Sequence, residues 1–314
     1  IPDESLPPPV KAMFPIMELV NRIGEFKAVR GNRIELLPDY DRSIQSLIRD
    51  IEAATKHVHL LYYIFEDDET GRMVSEALCR AARRGVACRV LMDSIGSRRA
   101  LRRLAPQMRA AGVEVLEMLR VGLLRSKTVR FDLRNHRKIA IMDGQVGYVG
   151  SQNIINAGQK PGIVNEELVA RVRGPILCQL QMVFLADWYL ETDNRIPTPE
   201  LATNFSESGP SLAQLLPSGP GYGRANFQML MVTLIHNAAK RVTMTTPYFI
   251  PDQPLLQALE TAVLRGVQVD LIVSVCSDMK LALTAQESYY EHLLRMGVRV
   301  HLYQPRFLHA QCTI

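Results

Sequence analysis

The chain has 314 residues, 47% apolar and 22% charged, with a formal net charge of +5, which argues against a disordered chain and allows about two domains with substantial cores. Charge is uneven: Arg98 to Lys138 holds twelve Lys or Arg against three acids, a surplus of +9 that leaves about −4 for the rest, so an anionic partner is expected, whether phosphate, nucleic acid or an acidic membrane surface. Five widely spaced cysteines without a C-x-x-C pattern argue against a disulfide framework or zinc cluster and fit reduced thiols, and no apolar run reaches the roughly 18 residues of a membrane helix.

The N-terminus lacks a basic-then-apolar signal pattern. Pro2 and Pro7 to Pro9 read as a linker, expected over residues 1–30, and a linker start suggests a membrane anchor lost from upstream. A helix is predicted from Asp41, as N-cap, to about Lys56, with Ile44, Leu47, Ile48 and Ile51 on one face. "HVHLLYYIF" from His57 reads as a buried strand, Met73 to Arg84 as a helix closed by Gly85, and "ACRVLMD" from Ala87 as the next strand. This βαβ order implies a parallel, helix-covered sheet, to which "AGVEVLEML" from Ala111 adds a strand.

The stretch "NHRKIAIMDGQVGYVGSQN", residues 135–153, follows. Asp143-Gly144 is a hairpin signal between two apolar strands, and the pairing sets His136 roughly opposite Ser151. Residues two apart on a strand share a face, so His136 and Lys138 point one way, as do Ser151 and Asn153 on the partner strand. An ammonium, a hydroxyl and an amide donate to phosphate oxygens, while an imidazole beside them serves as base, acid or nucleophile near neutral pH. Asp143, at the turn and away from the converging groups, reads as structural, as do the lone histidines His57, His59 and His236.

The second half repeats the first. "LIHNAAKRVTMTTPYF" mirrors "IEAATKHVHLLYYIF", "LRGVQVDLIVS" mirrors "RRGVACRVLMD", and "RMGVRVHLY" mirrors "RAAGVEVLEML". "HAQCTI" from His309 then stands where "HRKIAI" from His136 stood. Four blocks in one order indicate a duplicated domain joined across the Pro/Gly/Ser-rich stretch Ile196 to Gly223. Expected boundaries are a linker over 1–30, a first domain over 31–205 and a second over 206–314, incomplete after its histidine-bearing strand.

The pattern His-x-Lys-x4-Asp-x6-Gly-Ser-x-Asn resembles the HKD motif of the phospholipase D superfamily. "NRIELLPD", "YYIFEDDETG", "FDLRNHRKIAIMDG", "VFLADWYLET", "LPSGP", "TTPYFIPD" and "SYYEHLLRMGVRVHLYQPRFLHA" resemble bacterial cardiolipin synthases, so the likeness runs from about Gly31 to the last residue. It implies an α/β fold of two α/β/α sandwiches with mixed sheets about a pseudo-twofold axis. It also implies transfer of a phosphatidyl group from one phosphatidylglycerol to another through a phosphohistidine, without metal or cofactor. Carried over by position, His136 is the nucleophile and His309 the general acid and base, with the reverse assignment open. Lys138, Ser151 and Asn153 match phosphate-binding positions. Glu167 falls where the superfamily carries an acid that orients the histidine, with Glu166 as the fallback. The resemblance also implies work at the bacterial cytoplasmic membrane, on its cytoplasmic side, with Arg98–Arg109 and Arg120–Lys138 resting on anionic head groups.

Two departures stand out. Gln311 replaces the lysine of the second motif, exchanging a charge-assisted donor for a weaker neutral one, and the second Gly-Ser-x-Asn lies outside the sequence. The competing readings are a phospholipase, a nuclease and a catalytically impaired protein that binds acidic lipid. A nuclease would require a long basic groove with stacking aromatics, whereas aromatics are 6% of this chain and sit in apolar strands, so no nucleic-acid partner is expected.

Overall fold

The computed structural model describes residues 8–119, 134–158, 162–197, 205–219, 225–277 and 279–314. It divides into a larger unit, Val29–Gln159 with Glu167–Ala213, and a smaller one, Ile1–Ala28 with Lys160–Glu166 and Gln214–Ile314. Where a linker is expected, residues 8–24 carry two helices, α1 (Pro8–Ala12) and α2 (Phe14–Gly24). Proline is no obstacle there, because the first helical positions have no intrahelical use for its missing N–H. Ile16 and Val20 of α2 are buried, and Gln214 Nε2 donates to the carbonyls of Met17 and Phe26, which ties the segment into the smaller unit.

In the larger unit β1 (Val29–Leu37) leads to α3 (Tyr40–Ala53). Asp39, not the expected Asp41, caps α3 by accepting from Arg42 N at 2.7 Å, a position set by the extended backbone a capping residue needs. Next come β2 (His57–Tyr62), α4 (Glu69–Arg83) and β3 (Ala87–Asp93). Asp68 caps α4 through Gly71 N, starting it a turn before the predicted Met73. Gly85 (φ +91) ends it, with Val86 N reaching back to Ala81 O, a left-handed cap that a side chain would strain. Short helices α5 (Arg98–Arg103) and α6 (Ala105–Ala110) precede β4 (Glu114–Met118), and the hairpin β5 (Lys138–Met142) and β6 (Val146–Gly150) follows. Beyond β7 (Asn165–Glu166), which belongs to the smaller unit, β8 (Val169–Arg173), α7 (Ile176–Thr192) and β9 (Ser211–Ala213) complete this one.

Its sheet runs β4-β3-β2-β5-β6-β8-β1-β9, parallel from β4 to β2 and antiparallel beyond. Every residue of β2 is buried, as expected of a strand covered by helices on both faces. On one face Val58, Leu60 and Tyr62 join Leu47, Ile51, Val74 and Leu78 of α3 and α4. On the other, His59 stacks between His57 and Phe184 of α7, each at 4.5 Å.

The smaller unit continues with α8 (Asn226–Asn237), β10 (Arg241–Thr246), α9 (Gln253–Leu264) and β11 (Gln268–Ser274). Then come α10 (Lys280–Glu287), α11 (Tyr290–Met296), β12 (Arg299–Tyr303), β13 (Phe307–Leu308) and β14 (Cys312–Thr313). Its sheet order, β12-β11-β10-β14, parallel from β12 to β10 and then antiparallel, has the same directions as β4-β3-β2-β5. Gly266 ends α9 as Gly85 ends α4, with Val267 N on Ala262 O. A separate parallel pair joins β13 to β7. All five cysteines are free, and among the described residues no helix is long and apolar enough to cross a membrane.

Burial, then the neighbouring His57 and Arg89, hold the His59 imidazole well below its usual range, so the folded larger unit keeps it neutral. The unfolded chain takes up a proton near pH 6.5 that the folded one refuses, so stability falls as pH drops below that value. His59→Met is expected to flatten the slope between pH 6.5 and 5 in urea titrations; an unchanged slope would show that this histidine does not control it.

Candidate active site

The hairpin forms as the Asp-Gly pair predicts. Asp143 and Gly144 both take positive φ (55° and 62°), the primed turn whose twist matches the strands. Asp143 does more than turn the chain: its carboxylate accepts from Thr55 N, Thr55 Oγ1, Lys56 N and His57 N at 2.8–3.0 Å. Burial alone would raise its pKa, but the backbone donors of Thr55, His57 and Lys56 together hold it below the usual carboxylate range. The turn thereby locks the start of β2, and with it the register that pairs Tyr62 with Lys138.

Strands β5 and β6 pair from Ile139↔Val149 to Met142↔Val146. Carried outward, that register aligns His136 with Gln152, one residue from the expected Ser151. Gly150 is required because an added Cβ would sit 2.3 Å from Leu168 O. Ser151, one residue on, is committed to the same neighbour: its hydroxyl accepts from Leu168 N at 3.0 Å and donates to Leu168 O at 3.3 Å. Asn153 is buried, and its Oδ1 accepts from Ile64 N at 3.1 Å, leaving the amide NH2 to donate elsewhere.

His136 is exposed just ahead of β5, and its ring stacks on Tyr63 at 3.9 Å. Its flanks are held fast. Arg134 Nε and Nη2 reach the buried Asp93 carboxylate at 2.9 and 2.7 Å, and the same guanidinium donates to Ser94 Oγ and Leu119 O. Asp187 of α7 accepts from Asn135 Nδ2 and takes both its oxygens to Arg137 Nη1, at 2.9 and 2.7 Å. The side chains on either side of His136 are thus pinned to β3 and α7 while the imidazole stands outward.

Lys138 Nζ donates to the His136 carbonyl at 2.7 Å and lies 5.8 Å from the Tyr63 ring centre. Burial lowers its pKa to about 8, against an upward pull from Glu167. Lys138 and Asn153 together line a small cavity of about 10 Å³, near the minimum for one water. Glu167 is buried in this unit. Glu166, one residue earlier, belongs to the smaller unit, with its carboxylate 3.6 Å from Arg306 and its carbonyl accepting from His309 N and Ala310 N.

His309 and Gln311 also belong to the smaller unit. The His309 ring lies 5.7 Å from that of Phe307. Gln311 is exposed beside a cavity of about 570 Å³ that Met231, Met244 and Tyr248 also line. Among the described residues no cluster of His, Cys, Asp or Glu could hold a metal ion.

The sequence reading missed Tyr63, Asp93 and Asp187, and counted Arg134 and Arg137 toward a free basic field although both are paired internally. The acids lie 41 and 50 residues from their partners, beyond any local pattern. Of the rest of that basic field, Arg99 pairs with Glu66 and Arg103 with Asp67, and residues 120–133 lie outside the described part.

The chain matches the family described as "Cardiolipin synthase, PLD-like domain" over residues 47–188 and 231–314. It is 37% identical over 309 residues to cardiolipin synthase A of Serratia proteamaculans, covering 96% of this chain and 63% of that protein. Cardiolipin synthase A of Pectobacterium carotovorum is 36% identical over 311 residues with the same coverage; the chain therefore spans 63% of the length of these relatives. Among solved structures it is similar to phosphatidylserine synthase of Haemophilus influenzae (TM-score 0.59, 16% identity, 93% of this chain, 79% of that one). Polyphosphate kinase of Porphyromonas gingivalis gives a TM-score of 0.54 at 14% identity, over 90% of this chain and 39% of that one. At such identities the likeness is one of fold.

The Lys138 pKa is open to direct test. NMR titration of the lysine side chains is expected to find one group near pH 8, lost in Lys138→Met. Because Glu167 favours the charged form, Glu167→Gln is expected to move that group lower still; no movement would mean that the two charges do not interact.

Proposed function

The chain belongs to the cardiolipin synthase family with a PLD-like domain, and from that premise we propose that it carries phosphatidyl-transfer machinery that joins two phosphatidylglycerol molecules into cardiolipin. A neutral His136 nitrogen attacks the phosphorus of the first lipid. A P–N bond forms, the P–O bond to the head-group glycerol breaks, and His309 gives its proton to the departing oxygen. His309, now neutral, takes the proton of a hydroxyl on the second phosphatidylglycerol. That oxygen attacks phosphorus, the P–N bond breaks, and cardiolipin leaves with both histidines restored. Two easier displacements, the first helped by the proton from His309 and the second leaving from an imidazole, replace one difficult one. No metal or cofactor enters these steps.

The observation that carries this reading is the presentation of His136. A nucleophile gains from being held in one attack geometry, and the Arg134–Asp93 and Arg137–Asp187 pairs supply that restraint on both sides of the imidazole. Lys138 and Asn153 donate to the non-bridging phosphate oxygens, where charge accumulates in the transition state. Ser151 adds a donor when its long bond to the Leu168 oxygen is exchanged for one to phosphate. Glu167 orients the histidine and holds Lys138 in its charged form. Gln311 supplies a neutral donor in the second motif. The partner surface is an anionic membrane, met electrostatically by Arg98 and Arg102 of α5, at the bacterial cytoplasmic membrane. A second reading, lipid binding with little turnover, is favoured by one feature, the missing cation at Gln311.

Incubation of the chain with labelled phosphatidylglycerol tests both. Cardiolipin and glycerol are the expected products, lost in His136→Gln. Phosphatidic acid would instead indicate transfer to water, and no product would support binding alone. Gln311→Lys is expected to raise the transfer rate by about 10- to 100-fold, the worth of one charge-assisted donor to the transition state; an unchanged rate would remove that position from the chemistry.

A further inference from the structure

We propose that Tyr63 is a positioning residue for the transfer: its ring fixes the plane of the His136 imidazole and stabilises the positive charge that the imidazole gains when it attacks phosphorus. The inference rests on the phosphatidyl-transfer reading above for the reaction, and adds to it the group that controls the nucleophile's ring.

The Arg134 and Arg137 pairs act on the chain to either side of His136, whereas Tyr63 acts on the ring itself. It stands just past the end of β2, and the two ring centres are 3.9 Å apart with planes 21° from parallel. Lys138 Nζ lies 5.8 Å from the centre of the same phenol ring, so two of the motif's side chains share one aromatic neighbour. The lone pair of an imidazole nitrogen lies in the ring plane. A stack against the ring face therefore restrains rotation without covering the atom that reacts, and it persists when the P–N bond forms in that plane. Attack turns the neutral imidazole into an N-phosphorylated imidazolium, because the second nitrogen keeps its proton. The face of a phenol ring attracts that cation. The attraction grows as the charge forms, so it favours the transition state over the bound ground state. The ring returns to neutrality when the second displacement breaks the P–N bond.

Tyr63 is anchored through the same elements that anchor His136. Its carbonyl accepts from Ser97 Oγ at 3.0 Å, and that hydroxyl accepts in turn from Phe65 N at 2.9 Å. On the motif side, Ile64 N donates to Asn153 Oδ1 and Ile64 O accepts from Ile154 N, both at 3.1 Å. Gly96 permits the close approach of the loop after β3: a Cβ there would sit 2.4 Å from Tyr63 O and 3.2 Å from Tyr63 Cε2. Gly96 N donates to Asp93 Oδ1 at 2.9 Å, while Asp93 Oδ2 holds Arg134. One buried carboxylate therefore fixes both the loop against Tyr63 and the residue two before His136. The two rings are set against each other before any substrate arrives, which is what positioning by a fold requires.

NMR of the full chain tests the stack without turnover. In the parent, the ring current of Tyr63 is expected to place the His136 ring protons upfield of those of the exposed His236, each assigned by its loss in His136→Gln or His236→Gln; unshifted protons overturn the proposal with no variant of Tyr63 needed. In Tyr63→Leu the His136 pKa is expected to fall by about half a unit, the worth of one exposed contact between a cation and an aromatic face. Tyr63→Phe, which returns the ring face, is expected to recover it. Lys138, Glu167 and the Arg134–Asp93, Arg137–Asp187 and Arg99–Glu66 pairs on the surrounding elements are the same in all three forms, so the difference reports the ring. In cardiolipin formation from phosphatidylglycerol, Tyr63→Leu is expected to lower kcat about tenfold at unchanged KM, and Tyr63→Phe to recover most of the loss. A His136 pKa indifferent to Tyr63→Leu overturns the proposal, as does a rise in KM alone, which makes Tyr63 a lipid contact. Equal losses in Tyr63→Leu and Tyr63→Phe assign the effect to the hydroxyl and overturn it too. The pKa response in a chain that forms no cardiolipin supports the hold on the ring and sinks the transfer reading instead.

Discussion

The ion pair between Arg134 and Asp93 is the constraint on which the presentation of His136 depends. Both side chains are almost wholly buried, so neither charge can be left alone: removing one partner of such a pair costs on the order of 3–5 kcal/mol. Asp93 is also satisfied by the backbone N–H groups of Ile95 and Gly96, and Arg134 by Ser94 and Leu119. The pair therefore welds the carboxyl end of a parallel strand to the entry of the antiparallel hairpin. With Arg134 fixed from β3 and Arg137 fixed from α7, the backbone between them has little freedom, and His136 can only stand outward onto Tyr63. The catalytic reading rests on that local geometry before it rests on any property of the imidazole.

The two sheets show what the repeated topology preserves and what it lets drift. Arg89 on β3 lies opposite Glu114 on β4 and bonds it at 2.9 Å; at the matching places Asp270 on β11 lies opposite Arg299 on β12 and bonds it at 2.8 Å. The signs have exchanged and the pair has survived, because a cross-strand pair requires complementarity and is indifferent to which strand carries which charge. Lys138 and Gln311 stand in a different relation. The glutamine itself carries no charge, so this difference is a change in what the position can offer an anion.

Much of the fold is legible in the sequence because it is written in local signals. Apolar periodicity places the buried strand at His57, Gly-Val pairs mark the ends of helices that precede strands, and Asp143-Gly144 marks the hairpin. Starts of helices are read one turn or less from the truth, since several acids near each start could cap and only the backbone angle selects Asp39 or Asp68. The N-terminal helices escape notice because prolines dominate the reading, although their position suits a helix start. At the site the motif residues are visible as a pattern, whereas the clamps are not: Asp93 and Asp187 are ordinary strand and helix acids until the sheet order brings them to Arg134 and Arg137. Ser151 shows the other side of this: its spacing suggests a ligand donor, and only the fold reveals that its hydroxyl also bonds the backbone of Leu168.

Lys138 shows how burial and chemistry are joined. An ammonium drawn partly out of water is costly, and its depressed pKa near 8 expresses that cost. It remains mostly protonated at neutral pH because it is not fully depressed: the carbonyl of His136 accepts from it and Glu167 pulls the other way. A cation withdrawn in part from water is less screened, so an arriving anion stabilises it more than it would a lysine fully in water. The gain grows as charge builds on that anion, which is the condition for stabilising a transition state more than the bound ground state. A glutamine in the same setting is cheaper to bury and more stable in isolation, but its dipole answers growing charge far more weakly. The lysine is therefore kept at some expense to the fold, and the expense is the source of its use.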